Sequence, residues 1–117
     1  MTSYCYVSAT VEQIARDIVL ANRDTNRSLS HLTVIQYFGC TLFMQTQLWF
    51  LLAQNELLSS DVTIRHLLWT LYFLRVYPSQ HVLTTTLNTT IKTFNKYCVQ
   101  VLAGLSEAYD DVVSQLT

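Results

Sequence analysis

Two glycines and one proline are the only strong backbone punctuation in 117 residues. An all-β chain needs a turn signal about every 8–12 residues, whereas a helical bundle needs only caps at the ends of a few long segments. The chain is therefore expected to be all-α, a bundle of five to six helices. Its length suits one domain with one continuous core, running over 1–117 with N-terminal helices in 1–60 and a second half in 61–117. Half of its residues are hydrophobic and 13% are charged, which supplies ample buried surface and argues against disorder.

Apolar periodicity and capping chemistry place the helices. Val11, Ile14, Ala15, Ile18 and Val19 form one stripe, with Thr10 and Gln13 written as a capping box, so a first helix is predicted over Val11–Ala21. The polar stretch Asn22 to Ser30 reads as a loop. Leu32 to Phe38 is a short helix closed by Gly39. Thr41 opens the next, through about Asn55, in which Phe43, Leu48, Trp49, Leu51 and Leu52 cover more than half of the circumference. A helix that apolar is expected at the centre of the bundle. After Ser59, Ser60 and Asp61 comes a helix over Val62–Tyr77 with the stripe Ile64, Leu67, Leu68, Leu71 and Leu74, which leaves Arg65 and Arg75 off it; Pro78 ends it. Ser79 caps a short helix to about Leu87. Asn88, Thr89 and Thr90 make a turn. A last helix starts near Ile91 and buries Ile91, Phe94, Cys98, Val101 or Leu102, and Leu105. Phe43, Trp49, Trp69, Phe73 and Phe94 are expected in the core.

Charge is distributed unevenly. Residues 1–61 carry −2, residues 62–106 carry +4, and residues 107–117 carry −3. Between Asp61 and Glu107 stand Arg65, Arg75, Lys92 and Lys96 without a single acid. Phosphate is drawn to such a strip and not to the net charge of −1, so DNA affinity is expected to be weak and strongly salt-dependent.

Other chemistries find little support. Cys5, Cys40 and Cys98 are odd in number and widely spaced, which fits a reducing compartment better than a disulfide framework. His31, His66 and His81 have no Cys or carboxylate at ligand spacing, so neither a metal nor another cofactor is expected. Glu107, Asp110 and Asp111 read as a solvated face, and no Gly-rich elbow or phosphate loop is present. No catalytic residue is assigned. No charge occurs from Ser28 to Asn55, yet Gln36, Gln45, Thr46 and Gln47 break that stretch, so no membrane contact is expected. The start lacks the pattern of a secretion signal, which makes the acceptor patterns at Asn26 and Asn88 incidental and the location intracellular.

The short helix, turn and lysine-bearing helix are written as a helix-turn-helix. Side chains near the start of a recognition helix reach base edges, and its first amides face phosphate. Thr89, Thr90, Lys92, Thr93, Asn95 and Lys96 have the right chemistry: Asn95 for adenine, the lysines for phosphate or guanine. The bland reading of the same lysines is the wet face of an amphipathic helix.

Four segments carry a family resemblance: Phe38–Thr41 (FGCT), Leu48–Leu52 (LWFLL), His66–Ser79 (HLLWTLYFLRVYPS) and Lys92–Tyr97 (KTFNKY). In order and spacing, they resemble the region preceding the catalytic core of Harbinger-type DDE transposases and derived proteins. The resemblance covers Phe38 to Leu105. Asn88 stands where that family often has glycine, and Asn95, Lys96 and Tyr97 where it has more arginine and a tryptophan. The resemblance implies a DNA-binding or DNA-positioning module, not an enzyme in itself, in a nuclear protein. It implies docking on a separate nuclease domain. The alternative is a helical protein-protein interaction module, docking its apolar surface on a catalytic domain or forming a homodimer, with no DNA contact.

Overall fold

The computed structural model describes residues 4–21 and 30–116. Apart from Ser30, the loop expected from Asn22 to Ser30, with Asn26 in it, lies outside the described residues, as do the side chains of His31 and Asp111. The elements are α1 (Tyr4–Ala21), α2 (His31–Phe38), α3 (Leu42–Gln54), α4 (Ile64–Val76), α5 (Gln80–Leu87) and α6 (Ile91–Leu116). Among the described residues the fold is an all-α bundle.

Local chemistry sets most of the boundaries. Ser30 accepts the Thr33 amide at 3.2 Å at the start of α2, and Gly39 closes that helix at φ +78° with its amide on the Ile35 carbonyl. Thr41 accepts the Met44 amide at 3.1 Å and Ser79 the Val82 amide at 3.3 Å, starting α3 and α5. Tyr77, at φ +54°, takes the left-handed turn that ends α4 just before Pro78.

α1 corrects one expectation. It begins by Tyr4, and Thr10 lies inside it, its hydroxyl donating to the Tyr6 carbonyl at 2.8 Å instead of capping. Gln13 donates to Asp17, not back to Thr10. The cause is tertiary. Val7, fully buried one turn before Val11, extends the apolar stripe, and Tyr4 stacks on Phe50 of α3 with centroids 6.0 Å apart.

The central helix is α4, not α3. Every residue from His66 to Tyr72 is buried, and α4 packs against α2, α6 and α1. Its polar members are satisfied in place: Thr70 donates to the His66 carbonyl at 3.0 Å. α3, although more uniformly apolar, buries Leu52 together with Gln45 and Thr46, leaves Leu48, Trp49 and Leu51 half-buried, and exposes Phe43 by 63%. Phe43 is therefore no core residue. Leu74 and Leu102, placed or allowed in the core by their stripes, are also exposed, whereas Trp69 and Phe94 are buried.

α6 crosses the 57–58 segment at Gly104. A Cβ there meets Leu58 Cδ2 at 3.0 Å and the Leu57 carbonyl oxygen at 3.2 Å. The close approach offsets the helix-propensity cost of glycine, about 1 kcal/mol. Gly104→Val is expected to destabilise the fold by about 1–3 kcal/mol in urea denaturation; an unchanged midpoint would show that the contact is slack.

Candidate nucleic-acid interface

α5 and α6 meet at a three-residue turn. Leu83 and Leu87 of α5 are buried, as are Phe94, Cys98 and Val101 of α6. Asn88, at φ 51° and ψ 51°, ends α5 with its amide on the Thr84 carbonyl. Thr90 then caps α6: its hydroxyl oxygen accepts the Thr93 amide at 3.2 Å, its carbonyl accepts the Phe94 amide at 2.9 Å, and the two threonine hydroxyls bond at 3.0 Å. Phe94 is held from below by Phe73 and Trp69, with centroids 5.4 and 6.4 Å away.

That anchorage fixes which way the start of α6 faces. With Phe94 and Cys98 turned inward, Lys92, Thr93, Asn95 and Lys96 are exposed on the other side; Thr90 is exposed beside them and Thr89 is half-buried. The six expected residues thus fall on one turn and the first two turns of one helix. Thr90 and Thr93 use their hydroxyls in the cap, and Lys92, Asn95 and Lys96 are the exposed side chains that take no part in it.

The two lysines are not equivalent. Among the described residues no carboxylate lies within 4 Å of Lys92 Nζ, whereas Lys96 Nζ sits 3.9 Å from Asp61 Oδ2 and 5.2 Å from the Tyr97 ring centroid. Lys96 and Asp61 are 60% and 49% exposed, so solvent screens this ion pair and it holds Lys96 only loosely. Asp61 is itself held by the Ser59 hydroxyl, which donates to it at 2.5 Å and also meets the Gln100 side chain. The Ser59 bond, then its own backbone amide, and to a smaller extent Lys96 hold the Asp61 carboxyl below the usual carboxylate range.

Below this pair lies a histidine whose role the sequence hid. His66 Nδ1 accepts the Thr63 amide at 3.0 Å, taking the place that Glu or Gln has in a capping box. Its ring stacks on Tyr97 of α6 at 3.7 Å and meets the edge of Trp69 at 5.0 Å. A hint was legible in the three-residue spacing from Thr63 to His66, but a histidine there matches no acidic capping pattern. Burial chiefly, and Arg65 to a smaller extent, push the His66 pKa down against the opposing pull of Asp61.

The folded chain binds the His66 proton less readily than the unfolded one, so this contribution is complete above the unfolded value of about 6.5 and is lost as pH falls below it. Unfolding free energy measured by urea is expected to decline from pH 7.5 to pH 5, and His66→Gln, which keeps an acceptor, to flatten that decline. An equal decline in both proteins would assign it elsewhere.

Burial also raises the thiols of Cys40 and Cys98 above their ordinary range. Among the described residues no group of three or more His, Cys, Asp or Glu is placed to hold a metal, and no helix is long and apolar enough to cross a membrane. A cleft of about 370 Å³ lies between α1 and the start of α4, lined by Tyr6, Thr10, Trp49 and Arg65 among others. No family model, no curated protein and no solved structure matches this chain.

Proposed function

We propose that this chain is a DNA-binding or DNA-positioning helical module of a Harbinger-like transposase or a transposase-derived protein, without catalytic residues of its own. α5, the Asn88–Thr90 turn and α6 act as a helix-turn-helix. The observation that supports this most is the inward anchorage of Phe94 and Cys98, which leaves Lys92, Asn95 and Lys96 together on the exposed start of α6. Lysine ammonium groups bind phosphate as point charges, the first amides of α6 have no intrahelical acceptor, and Asn95 has the donor and acceptor pair that adenine requires. The resemblance over Phe38–Leu105 supports the same reading, and a nuclear location goes with it.

A duplex gel shift at low salt tests it. The wild-type chain is expected to shift the duplex and Lys92→Ala plus Lys96→Ala to lose that shift; equal binding by both, or none by either, would sink the proposal.

One observation favours a second reading, docking on a separate catalytic domain without DNA contact. Leu32, Phe43 and Tyr77 are exposed by 71%, 63% and 73%, large apolar side chains available to a partner surface. An apolar dock survives about 0.5 M salt on size exclusion, whereas phosphate contacts do not.

A further inference from the structure

The outer face of α6 carries a regular pattern that DNA contact at its start does not use. Phe94, Val101 and Ala108, seven apart, are buried against the bundle. On the opposite side Lys92, Lys96, Val99, Ala103, Ser106 and Asp110 follow one another at alternating steps of four and three, the spacing of a helix-pairing seam. All six are exposed, Val99 by 65%. The seam is basic at its start, where Lys92 has no carboxylate within 4 Å among the described residues and Lys96 shares its charge with exposed Asp61; it is small and weakly polar in its middle, and acidic at its end, where exposed Glu107 stands beside Ser106.

We propose that this face pairs with the same face of a second copy of the chain, the two α6 helices running antiparallel about a twofold axis near Val101. A seam with opposite charges at its two ends is complementary to itself when reversed. In that register Lys92 of each copy meets Asp110 of the other, Lys96 meets Ser106 and Glu107, and Val99 meets Ala103. Lys92 and Asp110 are separated by about 27 Å along the helix, so both charge clusters engage at once, one at each end. The small residues between them let the helices approach to about 8 Å. The register follows from the sequence positions alone: Lys92–Asp110, Lys96–Ser106 and Val99–Ala103 share one axis, and Glu107 lies one position from it. Parallel pairing would set lysines against lysines and acids against acids.

A closed twofold pair of this kind is isologous. Its single-helix seam is smaller than the ~1,200–2,000 Å² of a stable interface, so the pair is weak and salt-sensitive. It also occupies Lys92 and Lys96, so the second copy and a duplex exclude one another. The inference goes beyond the DNA reading and does not depend on it.

Charge exchange in the full-length chain tests it, with sedimentation velocity at low salt over about 10 µM to 1 mM protein. The wild-type chain is expected to associate to a dimer. Lys92→Glu plus Lys96→Glu, and separately Glu107→Lys plus Asp110→Lys, are each expected to raise the dissociation constant by about tenfold or more. Mixing the two double variants, or combining all four substitutions in one chain, is expected to restore association. All four positions are exposed, and circular dichroism confirms that each variant is folded. A wild-type chain monomeric throughout, a dimer indifferent to either double variant, or a mixture that stays monomeric would each overturn the proposal. Duplex binding is read out separately, since the fourfold variant has lost its lysines at the start of α6 whether or not it pairs.

Discussion

Leu68→Ala is expected to lower the unfolding free energy by about 2–5 kcal/mol, a large share of the ~5–15 kcal/mol that holds a domain together. Leu68 is fully buried in α4, flanked by Leu67 and Trp69, and α4 is the helix against which α1, α2 and α6 are packed. Truncation there removes apolar area and leaves a cavity that three surrounding helices cannot collapse into without shifting. Phe43→Ala in α3 is the informative contrast. Its larger side chain is 63% exposed, so its loss is expected to cost less than ~1 kcal/mol. Urea midpoints of the two variants decide which helix is central: a larger loss for Phe43→Ala would return that place to α3.

The second large effect concerns DNA. Each lysine that neutralises a phosphate releases about 0.9 of a condensed counterion, so losing two such contacts lowers the slope of log K against log salt by about 1.8. At about 50 mM salt, Lys92→Ala plus Lys96→Ala is then expected to weaken duplex binding by about two orders of magnitude. Because Lys96 shares its charge with Asp61 at 3.9 Å, Lys92→Ala is expected to have the greater single effect. Asp61→Asn, which frees Lys96, is expected to tighten binding a few-fold. Fluorescence anisotropy across a salt series measures slope and affinity together. Loss of affinity without a change of slope would mean that the lysines do not touch phosphate.

What was legible in the sequence was mainly what local chemistry decides. Ser30, Thr41, Ser79 and Thr90 accept amides of the following turn, and Gly39 and Asn88 adopt left-handed geometry, so most boundaries of α2, α3, α5 and α6 were readable from neighbouring residues. The inward side of α6 was readable too, because Phe94, Cys98 and Val101 repeat at helical spacing. The misses came from the tertiary level. Thr10 and Gln13 had the letters of a cap, but Val7 and the stacking of Tyr4 on Phe50 carry α1 through them. α3 had the more apolar composition, yet α4 is the buried one because α1, α2 and α6 all pack against it, a tertiary arrangement that composition does not encode.

The candidate site divides the same way. The exposed cluster of Lys92, Asn95 and Lys96 follows from periodicity alone. Its neighbours do not: Asp61 reaches Lys96 from 35 residues away, and His66 reaches Tyr97 from 31. No periodicity encodes those contacts, because they depend on how the 57–61 segment lies across α6, which Gly104 permits.

The start of α6 and the turn before it are expected to form the DNA-facing surface. Backbone amide shifts of isotope-labelled chain, followed while a short duplex is added at low salt, test it most directly. The expected perturbations concentrate between Ser79 and Tyr97, are strongest from Thr89 to Lys96, and vanish as salt is raised. Perturbations centred on α1 or α3, or none at saturating duplex, would contradict it.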